Sequence, residues 1–142
     1  MKHTFTFPLA AFTGCDGDTI NVTLDRGFGD FSKRKLRLMG VQAPETTHLA
    51  GTPLEREAGR YVTQAVMFWI HRQKSLVVES RQWDKYANRI LGNIIGDRDH
   101  LTDYLIRHML VKTWDGTGKI TWTPEELHQI ILAAQQALET HE

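Results

Sequence analysis

The chain has 142 residues, 41% of them hydrophobic and 24% charged, a balance that excludes a disordered or fibrous chain and suits one domain able to bury a core without disulfides. Seventeen Lys and Arg offset seventeen Asp and Glu, and that neutrality argues against an indiscriminate grip on nucleic acid. Charge is nonetheless unevenly placed, because Lys33, Arg34, Lys35 and Arg37 crowd together and leave room for a local positive groove.

In chain order, Phe5, Phe7, Leu9 and Ala11 alternate with Thr4, Thr6, Pro8 and Ala10, which predicts a strand, with Pro8 marking a sheet edge or a bulge. Ile20, Val22 and Leu24 give a cleaner second strand, followed by a turn at "DRGFGD", 25 to 30. A third strand is expected over 33 to 41, with Leu36 and Leu38 on one face and Arg37, Met39 and Val41 on the other. The period then changes: Ala58, Val62, Ala65, Val66 and Trp69 recur at helical spacing between Glu55 and Gln73. Strands follow at 75 to 80 and 89 to 96, joined by a polar turn "RQWDKYAN". A second helix is expected over 100 to 109 with Asp99 as its cap, and a third over 123 to 141 opened by Thr123, Pro124 and Glu126 as a capping box. Leu127, Ile130, Ile131, Ala134 and Leu138 stripe that last helix, the only part that reads as a possible appendage or oligomerisation surface. Five strands and three helices make an α+β chain whose strands suffice to close a small barrel.

The lone Cys15 cannot form an internal disulfide, no apolar run approaches the ~20 residues of a membrane span, and the N-terminus lacks a signal-like apolar core. The expectation is a cytoplasmic protein without a membrane partner.

Asp18 opens the second strand, Arg37 lies within the third, and Glu45 follows it closely. Antiparallel neighbours can bring all three to one barrel end. Two close carboxylates repel unless a cation intervenes, oxygen donors beside turns suit a hard divalent ion, and an arginine aimed at the same place suits a phosphate. The seven histidines show no metal-ligand spacing and read as surface residues; Asp97 and Asp99 read as turn and cap residues, Cys15 as unreactive beside Asp16, and Trp114 as a packing residue before a base-stacking one.

"DGDT" at 16 to 19, "RLMGVQAPE" at 37 to 45 and "DKYANR" at 84 to 89, with the "GDRDHLTDYLIRHMLVK" that follows, together resemble the staphylococcal-nuclease-like (thermonuclease) family over residues 5 to 114. That resemblance implies a five-stranded OB-type β-barrel with about three packed helices and a Ca2+-dependent phosphodiesterase acting on DNA and RNA, with Mg2+ or Mn2+ as other candidate ions. It casts Asp18 as a metal carboxylate, the Ala43 carbonyl as a further ligand, Arg37 and Arg89 as phosphate-binding, Glu45 as the group that orients or deprotonates water, and Lys85 and Tyr86 as contacts to a terminal nucleotide phosphate. Two departures stand out. Gln42 replaces a metal-binding Asp, which predicts weaker metal affinity, and "DKYANR" is one residue longer than the family's D-K-Y-G-R, with Asn88 able to supply a left-handed turn residue. The alternative function is a catalytically weakened barrel that binds nucleic acid or a protein.

Overall fold

The computed structural model describes residues 2–47 and 50–139, and the side chains of Lys2, His3 and Cys15 are left aside. The readings of His3, His48, His141 and Cys15, and the reach of the last helix to 141, therefore lie outside the described residues.

Strands β1 (Lys2–Asp16), β2 (Thr19–Asp25), β3 (Phe31–Leu38), β5 (Val77–Asp84) and β6 (Arg89–Ile95) close a barrel in the order β1-β2-β3-β6-β5. All neighbours are antiparallel except β3 and β6, which run parallel. Two-residue strands β4 (Val41–Gln42) and β7 (Lys112–Thr113) pair beside it. Helices α1 (Pro53–Arg72), α2 (Leu101–Arg107) and α3 (Pro124–Glu139) complete an α+β, OB-type architecture. Among the described residues no helix is long and apolar enough to cross a membrane.

The long β1 serves two partners: residues up to Pro8 pair with β5, and residues from Leu9 onward pair with β2. A register shift between Leu9 and Ala11 marks a bulge just after Pro8. The expected alternation therefore breaks there: Phe7, Leu9 and Phe12 pack on the core, whereas Phe5 and Ala11 are exposed. A strand that turns a barrel corner needs such an extra residue to bend, and proline, which cannot donate to a ladder, suits the changeover.

Three other boundaries move. The third strand ends at Leu38, and the chain turns at Met39 and Gly40, so Val41 belongs to β4 and is fully buried in the core instead of sharing a strand face with Arg37. The turn after β5 shrinks to four residues, 85 to 88, because Gln82 to Asp84 continue pairing with β6 beyond a bulge at Arg81. Asp99 does not cap α2: His100 occupies the N-cap position without a side-chain cap bond, while Asp99 accepts from the His100 N–H and pairs with Arg107. Asp97 accepts the Lys74 and Ser75 N–H groups, so it ties the end of α1 to the loop before α2.

The core joins Ile20, Val22, Leu24, Leu36 and Leu38 of the barrel to Val62, Val66 and Trp69 of α1 and to Leu127, Ile130 and Ala134 of α3. Helix α3 opens with the expected capping box, Glu126 N–H on Thr123 Oγ1 and Thr123 N–H on Glu126 Oε1. Its stripe packs on α1, so it is no appendage, and the apolar face assigned to oligomerisation is covered within the chain. Ile130→Ala should accordingly destabilise the whole protein by about 2–5 kcal/mol in denaturant unfolding; a detached helix would leave the transition unchanged.

Candidate functional site

The turn between β1 and β2 aims Asp18 inward. Gly17 adopts φ 55 there, and a Cβ on it would sit 2.7 Å from the Ala43 Cβ, so only glycine fits against the β4 segment. Asp18 is 8% exposed. Its Oδ2 accepts the Ala43 N–H at 2.9 Å, its Oδ1 accepts the Thr19 hydroxyl at 3.2 Å, and its backbone carbonyl accepts the Leu38 N–H. Those bonds fix the carboxylate between β2, β3 and β4.

Arg37 pairs in register with Thr19 across β2 and β3, on the face opposite Leu36 and Leu38. It points out of the barrel yet is only 6% exposed, because β4 and the chain after β7 fold over it. Nη1 donates to the carbonyls of Leu38 at 2.6 Å and Val41 at 2.8 Å, and Nη2 donates to Gln42 Oε1 at 2.9 Å. Asp18 Oδ2 lies 3.6 Å from Nη2, and the Trp114 ring covers the guanidinium at 5.2 Å. Trp114 is held in turn by its backbone N–H on the Gly40 carbonyl and its indole N–H on the Thr117 carbonyl. The packing role expected for Trp114 is thus specific: it roofs an arginine. Three of the five guanidinium N–H donors are committed to this frame, leaving the others for a ligand.

Gln42 joins both halves of the network, since its Oε1 accepts from Arg37 while its Nε2 donates to the Ala43 carbonyl at 3.0 Å. Glu45 stands on the same side. Its N–H donates to Glu55 Oε2 at 3.0 Å, and Glu55, in the first turn of α1, also accepts the Gly51 N–H. Thr46 donates its hydroxyl to Asp16. Helix α1 presses against this segment at Gly59, where a Cβ would lie 2.6 Å from the Pro44 carbonyl oxygen and 2.9 Å from that of Glu45. Neither Glu55 nor Gly59 stood out in the sequence, where Glu55 marked only the start of the helical period and Gly59 was not singled out. The signal was the glycine itself, in the middle of an otherwise strong helix, which implies close backbone approach.

Electrostatics follow from this crowding. Burial raises the Asp18 carboxyl above its ordinary value, against the pull of the Arg37 guanidinium and the Ala43 N–H, with Asp16 adding repulsion. Glu45 is raised by burial and then by Asp16, Asp18 and Glu55, with Arg37 opposing. Burial lowers Arg37, Asp18 raises it and Arg89 lowers it again. Asp18 and Glu45 thus share the influence of one buried arginine.

Arg37 and Arg89 line one cavity of about 690 Å³, together with Arg81, Asp84, His100 and Trp114. Arg89 pairs through Nε with Asp84 Oδ2 at 3.2 Å, and Asn88 before it adopts φ 55, a left-handed turn residue. Gln42, Glu45 and Glu55 line a second cavity of about 370 Å³ with Lys119 and Trp122. The Arg37–Gln42 bond lies between the two. Lys85 and Tyr86 sit on the β5–β6 turn, Tyr86 being 91% exposed, and belong to neither cavity's lining. His71 edges onto Phe12, and His108 lies tilted against Tyr104; of the described histidines only His100 reaches the arginine cavity.

Asp18, Gln42 Oε1 and the Ala43 carbonyl supply hard oxygen donors of the kind that Ca2+ or Mg2+ takes, so the donor set fits such an ion in type. Among the described residues no three His, Cys, Asp or Glu side chains form a metal cluster by themselves, so the amide and the carbonyl are needed. Both are already engaged, by Arg37 and by each other, and an ion would compete with those bonds. Compared with protein-family models and with curated proteins, the sequence matches none.

Two outcomes follow. A carboxyl whose folded pKa is raised opposes folding once ionised: the folded state holds its proton more tightly, and that advantage is lost as pH rises through the folded pKa. With chelator at neutral pH, Glu45→Gln should therefore raise the melting temperature, with the gain shrinking as pH falls through the raised folded value of Glu45 toward the 4.5 of an ordinary glutamate and absent below it; a lower melting temperature at neutral pH would contradict the repulsion. Gly59→Ala should force the 44–46 segment away from α1, visible as chemical-shift changes at Glu45 and Thr46 that exceed those across the barrel.

Proposed function

We propose that this protein hydrolyses phosphodiester bonds of DNA or RNA with the help of a weakly held divalent cation, as its resemblance to the staphylococcal-nuclease-like family suggests. The observation that carries the reading is convergence: Asp18 and Arg37, distant in sequence, pair at 3.6 Å beside a cavity that also holds Arg89, and Glu45 stands close enough to interact electrostatically with both.

In this reading the free N–H groups of Arg37 and the guanidinium of Arg89 receive the non-bridging oxygens of a phosphodiester in the larger cavity. Charge accumulates on those oxygens as a nucleophile attacks, and an arginine already locked by the Leu38 and Val41 carbonyls needs no reorganisation to stabilise it. Glu45, across the Gln42 partition, holds and deprotonates the attacking water, and its raised pKa makes it a better base than a free glutamate. Asp18, Gln42 and the Ala43 carbonyl would hold the ion, which when bound polarises the phosphate and acidifies water. Lys85 and Tyr86, on the β5–β6 turn and outside the lining of both cavities, would meet a terminal phosphate only there.

One observation favours the alternative, a binding module. Gln42 satisfies Arg37 and the Ala43 carbonyl simultaneously, so the network is closed without any cation. Plasmid nicking and RNA degradation with Ca2+, Mg2+, Mn2+ or chelator separate the two. The hydrolase reading expects cation-dependent cleavage, with Arg37→Ala and Glu45→Gln each reducing turnover on the order of 10²- to 10³-fold while the fold persists. Equal cleavage by all three proteins, or none under any ion, contradicts it. Gln42→Asp should raise cation affinity in calorimetry; unchanged affinity would remove Gln42 from the ligand set.

A further inference from the structure

We propose that the outer face of β3 is a track for an extended single-stranded polynucleotide, leading from Arg37 through Lys35 and Lys33 to Phe31; this rests on reading the arginine cavity as a phosphodiester site. Strand pleating puts Phe31, Lys33, Lys35 and Arg37 on one face, opposite the core residues Leu36 and Leu38. Cationic side chains two residues apart are roughly 6.6 Å apart along a strand, close to the separation of adjacent phosphates in a stretched single strand.

The flanks agree. Across β2 the partners of Lys33, Lys35 and Arg37 are Thr23, Asn21 and Thr19, all neutral hydrogen-bonding residues. On the other side Lys35 stands in parallel register with Arg89, which continues the positive charge into the cavity. Both lysines are exposed, and neither pairs with a carboxylate among the described residues. The neutral chain therefore carries a local row of four cations, of which Arg37 and Arg89 are paired with Asp18 and Asp84, while the two lysines face neutral partners on β2. At the far end Phe31 is 56% exposed, an aromatic surface on which a base can stack. The row is a single file of cations, so it follows one backbone; a duplex would present a second phosphate line with nothing to meet it.

The test is fluorescence anisotropy with labelled oligothymidylates of two and eight nucleotides, in chelator so that nothing is cleaved. Wild-type affinity should rise with length. In a Lys33→Gln/Lys35→Gln double variant that gain should vanish and the slope of log affinity against log salt should fall by about 1.4, the value for two phosphate contacts on a single strand. Phe31→Ala should weaken the eight-mer and spare the two-mer. Arg60→Gln, an exposed change on α1, serves as the charge control and should keep the length gain. The track is overturned if the double variant keeps gain and slope, if the wild type shows no gain, or if a matching duplex or a polyglutamate peptide binds as well as the eight-mer. Hydrolysis without a length gain would remove the track and leave the catalytic reading; a lysine-dependent length gain without hydrolysis under any cation would do the reverse.

Discussion

A guanidinium taken out of water is costly unless its donors and its charge are both answered, and the site is organised around meeting that demand for Arg37. The Leu38 and Val41 carbonyls, the Gln42 amide and the Asp18 carboxylate each answer part of it, and Trp114 closes the top. Meeting it dictates local backbone. The chain must turn at Met39 and Gly40 for the Val41 carbonyl to come back to Arg37, and β4 must then pair with β7 so that the chain beyond it can supply the tryptophan. The same turn delivers Ala43 to Asp18 and sends Glu45 toward α1. A buried arginine thus does structural and chemical work with the same atoms: the carbonyls that satisfy it also prevent it from relaxing.

Gln42 changes the character of this centre. A carboxylate at that position would face Arg37 as a second counter-ion and would repel Asp18 in the absence of a cation. An amide instead donates as well as accepts, and it bridges Arg37 to the Ala43 carbonyl without adding charge. The network is consequently more self-sufficient and less demanding of a cation than an all-carboxylate set. In the reading proposed above, that one residue sets how far the centre depends on a cation.

Much of this was legible in sequence. The β2 alternation, the α1 stripe and the capping box of α3 are local patterns, and each reappears with the expected residues buried or bonded. Asp18, Arg37 and Glu45 could be grouped because hairpin register is local too: a short turn between β2 and β3 fixes Thr19 opposite Arg37. What sequence did not show depends on contacts between segments far apart. The bulge that redirects β1 arises where the strand changes partner. The early end of β3 follows from the needs of a buried arginine, because Met39 and Val41 continue the alternation and conceal the turn. Gly59 and Glu55 acquire meaning only once α1 lies on the Pro44–Thr46 segment. Likewise the partition of Arg37 and Glu45 between two cavities is a property of the Gln42 bridge, which no spacing rule anticipates.

The central claim is that Arg37 is locked by backbone carbonyls and retains free donors for a phosphate. Nitrogen-resolved NMR of its guanidinium measures that directly. The account predicts separate, slowly exchanging Nη proton signals in the free protein, and a selective shift of the remaining Arg37 donors when a dinucleotide is added. A single averaged, rapidly exchanging Nη signal, or resolved signals that ignore the dinucleotide, would contradict it.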